Sequence, residues 1–258
     1  MQNPAMIILR FLRAIFGFYA VIVFAALLIV FSILYAVVFL VLPEKSAPHF
    51  AHRVLSRTWA KMLQVFFFLP VRIENKNLID PGKTYVFVAN HRSQLDIPVY
   101  AIACRNTFRF LAKAELAKIP LMGFIIRKLY LTVNRADRAD RNRSIEVMKR
   151  SIDDGISVFL CPEGTRNRHD EPPVMEFRDG AFRLAVLTQT PLAVLTLFNT
   201  GEKLSPLRPV ELAPGTIYGT WDEPIETKGM TLDDVPALKE KVRSMMIAHL
   251  REYRGGKS

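Results

Sequence analysis

A histidine and an aspartate stand five positions apart in Asn90-His91-Arg92-Ser93-Gln94-Leu95-Asp96. Such a pair can work as a base and its orienter. The carboxylate bonds one imidazole nitrogen and stabilises the imidazolium, and the other nitrogen is left to take a proton. On one continuous helix the two residues would be turned about 140° apart and could not meet. They can meet only if the chain turns between them. The plainer reading makes Asp96 a helix cap and His91 a satisfied turn residue, and an isolated motif of this kind does not decide between the two. A second polar turn, Glu163-Gly164-Thr165-Arg166, offers backbone N–H groups, a hydroxyl and a guanidinium. Arginine suits bidentate recognition of phosphate. Glu163 fits a role holding an arginine or hydroxyl in place better than a role touching an anion. Taken alone, these four residues also read as a surface turn with a helix-capping threonine. The glycine-rich loop of phosphate-binding NTPases is absent.

Both turns follow apolar runs that read as strands. Tyr85–Ala89 leads into the first, and Ile97–Ala103 after it can start a helix. Ile156–Leu160 leads into the second. Val71–Glu74, Phe108–Ala112, Leu129–Val133 and Pro191–Phe198 are further strand candidates. Ser144 can cap a helix whose Ile145, Met148 and Ile152 share one face, with Gly155 closing it. Phe177–Leu187 reads as another helix, and Thr231 opens the last. Residues 211–227 read as short β pieces broken by Pro214, Gly215, Gly219 and Pro224. Strands alternating with helices predict an α/β fold with a mostly parallel sheet flanked by helices. In such folds sites form where strands end and helices begin.

The chain has 258 residues and a net charge of +11, and half its residues are apolar. The apolar excess is concentrated near the N-terminus. Ala14–Leu42 is 29 residues without a charged side chain, longer than the roughly 20 that cross a bilayer and longer than a signal-peptide core. This predicts a transmembrane or deeply embedded helix. Phe50–Leu69 mixes His52, Arg53, Arg57 and Lys61 with apolar residues, a pattern suited to a membrane interface or to packing back on the first helix as a hairpin. The expected division is residues 1–70 as membrane-anchoring helices and 71–258 as the α/β domain. Arg10 and Arg13 before the apolar run are outnumbered by Lys45, Arg53, Arg57 and Lys61 after it, which favours a domain on the cytoplasmic side. Beside such a helix the positive charge implies attraction to an anionic membrane surface, while no groove-reading motif points to nucleic acid. Cys104 and Cys161 give neither metal-ligand spacing nor a disulfide framework, so no metal is expected. Cys161 reads as a buried structural thiol, a reactive one being the alternative.

The two turns together resemble the membrane glycerolipid acyltransferases, specifically the 1-acylglycerol-3-phosphate acyltransferase (PlsC-type) family. His91-x4-Asp96 is similar to the family's first block and Glu163-Gly164-Thr165-Arg166 to its third. Phe110–Leu116 is similar to the segment that carries an acceptor-side lysine, here Lys113, and Val133-Asn134-Arg135 to the end of the second block, where an arginine contacts phosphate. Phe177-x2-Gly180-Ala181 and Thr190–Val194 fall where the following stretches belong, so the likeness runs from about residue 71 to 227. The second block is bulkier than usual, with Asn134 in an acidic position, and Val194 replaces a second proline. These departures leave the His–Asp chemistry intact and bear on acceptor identity and acyl-chain fit.

The resemblance implies transfer of an acyl chain from a thioester, acyl-coenzyme A or acyl carrier protein, to the free hydroxyl of 1-acyl-sn-glycerol 3-phosphate (lysophosphatidic acid), giving phosphatidic acid. These thioesters are co-substrates, and no further cofactor is expected. The expected catalytic residues are His91 and Asp96. Lys113, Arg135, Glu163, Gly164, Thr165 and Arg166 are the expected substrate-binding set. Ser93 is a minor alternative nucleophile. Rival readings are another lyso-lipid or glycerol 3-phosphate as acceptor, and thioester hydrolysis. Phe108, Phe110, Leu121, Met122, Phe124 and Ile125 read either as an acyl slot or as ordinary core. Residues 138–143 read as a solvated loop or helix face, or as a grip for a nucleotide phosphate or an acidic carrier protein. The expected setting is the inner membrane of a bacterium.

Overall fold

The computed structural model describes residues 4–133 and 138–256, with side chains throughout these ranges except at Pro4, Lys113 and 138–142. Its strands are β1 (Val71–Glu74), β2 (Val86–Ala89), β3 (Phe108–Lys113), β4 (Leu131–Val133), β5 (Ser157–Leu160), β6 (Leu192–Leu197) and β7 (Ile217–Trp221). The helices are α1 (Pro4–Val41), α2 (Ala47–Phe50), α3 (Arg57–Phe66), α4 (Asp96–Ala103), α5 (Met122–Leu129), α6 (Arg138–Asp153), α7 (Gly180–Thr188), α8 (Thr200–Lys203) and α9 (Val235–Gly255). A π-helical turn, Ala51–Ser56, joins α2 to α3.

The strands form one seven-stranded sheet in the order β1-β7-β6-β2-β5-β3-β4. Neighbours are parallel except β6 and β7, which are antiparallel. The expected mostly parallel sheet flanked by helices is therefore present, with β1 and β7 running against the other strands. β2 sits at its centre between β6 and β5. Its alternation divides the core: Phe87 and Ala89 face the layer built from α1, α3 and α4, while Val86 and Val88 face the layer of α6, α7 and α9. In the first layer Phe87, Tyr100, Phe108, Phe110 and Phe159 form a connected aromatic cluster. Such rings add offset and edge-on attraction to their burial. Phe108 and Phe110, read above as slot or core, are therefore core, and Phe124 and Ile125 pack partly buried against it.

β7 runs unbroken through Gly219, where the sequence suggested separate pieces. A Cβ at Gly219 would lie 2.7 Å from Thr196 O on β6. The glycine lets the two strands approach closely, so it belongs to the strand. α6 begins at Arg138, earlier than the cap expected at Ser144. Residues 138–143, whose alternating charges allowed a loop or a helix face, are thus in a helix.

α1 has 38 residues, roughly 57 Å at helical rise and well beyond the hydrocarbon thickness of a bilayer. Gly17, Ala20, Leu27, Phe31 and Tyr35 form a buried stripe at helical spacing. Its contacts run lengthwise: Arg10 with Glu211, Phe24 with Trp59, Tyr35 with Ser56, and Phe39 with Phe124. Phe11, Ile15, Phe18, Ile22, Ile29 and Ile33 are exposed on its outer side. The N-terminal helices thus share one hydrophobic core with the sheet.

Candidate active site

His91 follows β2 immediately after Asn90, a buried side chain that works as an extra rung between strands. Asn90 Nδ2 donates to Leu197 O at 2.7 Å, and Leu197 N donates to Asn90 Oδ1 at 2.8 Å. Tyr100 Oη donates to Asn90 O at 2.6 Å. The chain therefore enters the turn from a fixed point on the central strand.

The turn brings His91 and Asp96 together. Their Nδ1 and Oδ2 atoms are 2.7 Å apart. A carboxylate only accepts, so Nδ1 carries the proton and Nε2 keeps its lone pair. Among the described residues nothing is hydrogen-bonded to Nε2. The same Oδ2 accepts from Arg92 N at 2.7 Å and Ser93 N at 2.8 Å. Asp96 thus does both things weighed for it: it ties the backbone of the turn and it orients the imidazole. It is fully buried, whereas the His91 side chain is 19% exposed. Ser93 has no exposed surface. Its Oγ donates to Leu204 O at 2.7 Å and accepts from Leu95 N at 3.2 Å. That hydroxyl is committed to structure, which counts against a nucleophilic role.

The Glu163 turn follows β5, the parallel neighbour of β2, so both turns lie at one sheet edge. Two bonds clasp them. His91 N donates to Glu163 Oε1 at 2.8 Å, and Asn167 N donates to His91 O at 2.8 Å. Glu163 Oε2 accepts from Met175 N at 2.9 Å. Expected among the substrate-binding residues, Glu163 has both oxygens engaged with backbone N–H groups. It holds backbone where an arginine or hydroxyl was considered. Burial raises its pKa above the usual carboxylate range, against the opposing pull of those two N–H donors. Gly164 has φ +72°, and a Cβ there would lie 2.6 Å from Arg178 Nε. The turn therefore needs glycine for its conformation, and Arg178 packs over the bare Cα.

Thr165 is exposed and Arg166 half-buried at the mouth of the turn. Arg166 has no carboxylate partner among the described residues. Lys113 ends β3, which is parallel to β5, so its backbone reaches the same edge. Arg135 lies outside the described residues. Arg92 donates to His169 O and, at 2.7 Å, to Asp170 Oδ1. That bond holds the Asp170 carboxyl below its usual pKa. Cys161, partly buried, has its Sγ 3.6 Å from Tyr100 Oη. The described residues contain no group of three or more His, Cys, Asp or Glu side chains placed to hold a metal ion. Asn90, Tyr100 and Asn167 were absent from the candidate set. Asn90 and Asn167 bond across segments far apart in sequence and Tyr100 bonds from a helix back to a strand end, and local spacing carries no signal of these contacts.

A proton acceptor fixed by a buried carboxylate at a parallel-sheet edge, without a free hydroxyl nucleophile beside it, defines an enzyme site that activates an acceptor group. Residues 70–197 match a family described as Acyltransferase. The yeast Saccharomyces cerevisiae has a 1-acyl-sn-glycerol-3-phosphate acyltransferase 27% identical over 214 residues, 79% of this chain and 67% of that protein. The mouse 1-acyl-sn-glycerol-3-phosphate acyltransferase alpha is 29% identical over 196 residues, 74% of this chain and 68% of its own. An uncharacterized acyltransferase of Schizosaccharomyces pombe is 29% identical over 177 residues, 68% of this chain and 63% of the relative. The chain thus spans about two thirds of the length of these relatives. The crystal structure of the 1-acyl-sn-glycerophosphate acyltransferase PlsC from Thermotoga maritima shares the fold, with TM-score 0.77 and 24% identity over 95% of this chain and 96% of that one. The chain is an acyltransferase by this family match over residues 70–197, and it is similar to 1-acyl-sn-glycerol-3-phosphate acyltransferases.

Proposed function

We propose that the protein transfers an acyl chain from a thioester to the free hydroxyl of 1-acyl-sn-glycerol 3-phosphate and so makes phosphatidic acid. The observation that carries this reading is the His91–Asp96 pair, which leaves Nε2 as a base at a sheet edge shared with cationic residues. The acceptor hydroxyl gives its proton to His91 Nε2 as its oxygen attacks the thioester carbonyl. The tetrahedral oxyanion collapses, the C–S bond breaks, and the imidazolium returns the proton to the leaving thiolate. Asp96 stabilises the imidazolium between these steps. Arg166, Lys113 and Arg135 bind the acceptor's phosphate, and one of them steadies the oxyanion. Gly164 and Thr165 shape the mouth of that site, and Glu163 positions it through backbone. The donor is an acyl-coenzyme A or acyl carrier protein thioester, and no resident cofactor takes part.

The site works at a membrane. α1 docks on its own domain from Arg10 to Phe39, roughly 43 Å of helix. A helix crossing about 30 Å of hydrocarbon would drag that charged domain in with it. α1 therefore lies along the bilayer, its exposed apolar face in one leaflet and the catalytic domain on the cytoplasmic side, where thioesters are found. A bacterial inner membrane is a suitable setting, and the positive charge draws the domain toward anionic lipid. The test is a panel of lyso-lipids and glycerol 3-phosphate, each offered both donors. Acylation of lysophosphatidic acid, lost in His91→Ala, supports the proposal. Activity on a different acceptor alone, or donor hydrolysis without an acceptor, overturns it.

A further inference from the structure

Residues 204–212 physically join the His91 turn to α1. The segment follows α8 beyond the C-terminal end of β6, at the sheet edge that carries both polar turns. At its start Leu204 O accepts the Ser93 hydroxyl at 2.7 Å. Leu204 and Leu212 close it by an antiparallel bridge, reinforced by Ala213 N donating to Lys203 O at 2.8 Å. The loop in between lies on the N-terminal half of α1. A Cβ at Gly17 would sit 1.7 Å from Val210 O, so only glycine admits the loop backbone there. Arg10 reaches Glu211 Oε1 at 3.0 Å, and Arg208 lies 3.5 Å from Glu211 Oε2.

The tip of this loop is apolar where a solvent-facing loop would be polar. Leu207 is 63% exposed and Val210 51%. The Val210 backbone rests on Gly17, so these exposed side chains stand beside a helix whose outer side exposes Phe11, Ile15 and Phe18. Exposed apolar side chains gathered on one side of a domain mark an interaction site. The one carboxylate at the junction, Glu211, faces two arginines, which lowers the cost of placing it near lipid. What holds loop to helix is weak: a van der Waals contact at Gly17 and an ion pair with partly exposed Arg10.

We propose that residues 205–211 form a membrane-inserting gate. Leu207 and Val210 enter the bilayer interface beside α1, and the lipid acceptor reaches His91 between the loop and the helix. The gate rests on the acyl-transfer reading, whereas the insertion does not. Insertion is read by placing a fluorophore at the tip with Leu207→Trp and adding phosphatidylcholine/phosphatidylglycerol vesicles made with brominated chains. The extra emission over the parent protein is expected to be quenched, and unquenched emission overturns the insertion. The gate is read by kinetics. Leu207→Asp/Val210→Asp should raise KM for long-chain lysophosphatidic acid in vesicles about 10-fold, with KM and kcat for a water-soluble hexanoyl analogue unchanged. Equal losses on both acceptors overturn the gate. If the parent protein acylates neither acceptor, the acyl-transfer reading fails and the gate with it, while quenching still reports the insertion.

Discussion

His91 and His52 both sit in packed structure, and their surroundings are opposites. His91 has one nitrogen on a buried carboxylate, the other without a bond, and a partly exposed ring. His52 is buried against Phe108 with ring centroids 4.0 Å apart, and both its nitrogens lack a hydrogen-bond partner among the described residues. Burial, with Arg57, His49 and Arg53 adding to it, pushes the His52 pKa down to about 3. A proton arriving at His91 meets a carboxylate. One arriving at His52 meets low dielectric and neighbouring cations. Catalytic competence thus depends on a compensating charge on one side and an opening on the other, more than on residue type or burial.

The sharpest way to break this contrast is to truncate each ring. His91→Ala should lower kcat for acyl transfer by about 10³-fold, the middle of the range for a general base, measured under saturating donor. His52→Leu should leave kcat within about 2-fold, because it removes polar atoms that have no partner. The next contrast is between the two buried carboxylates. Asp96 Oδ1 has no partner, so in Asp96→Asn an amide can stand there while Oδ1 of the new side chain takes over the three donors. That variant should keep its melting temperature and lose about 10²-fold in kcat through loss of charge. Glu163 has an N–H donor on each oxygen, so Glu163→Gln forces an amide against one of them. It should lose about 1–3 kcal/mol of stability, read by denaturant unfolding, and about 10-fold in activity.

The last contrast concerns pH. His52 titrates near 6.5 when unfolded and near 3 when folded, so between these values the unfolded chain binds more protons. Stability is full above about pH 6.5 and is lost as pH falls toward 3, by up to ~1.4 kcal/mol per pH unit. His52→Leu should flatten that slope between pH 4 and 6. An unchanged slope would mean that His52 is not the group responsible.

The sheet was readable because its strands are short apolar runs between Gly, Pro and polar turns. The predicted Ile156–Leu160 and observed Ser157–Leu160 differ by one residue. What misled was a glycine serving contact rather than a break, as at Gly219, and a charged run that folds as helix from Arg138. At the site, both turns could be located because each interrupts a strand–helix unit with polar residues. The bonds that clasp them could not. Glu163 to His91 N and Asn90 to Leu197 span 72 and 107 residues, and register across a sheet is not written in local spacing.

The docking of α1 also sets an order of assembly. The helix is made well before its partner Glu211, which lies 201 residues further along the chain. Val210, which covers Gly17, arrives just before it. Until then the stripe at Gly17 and Arg10 lacks the segment that covers it. The 204–212 loop can therefore be seated on α1 only after strands β1 to β6 have been made.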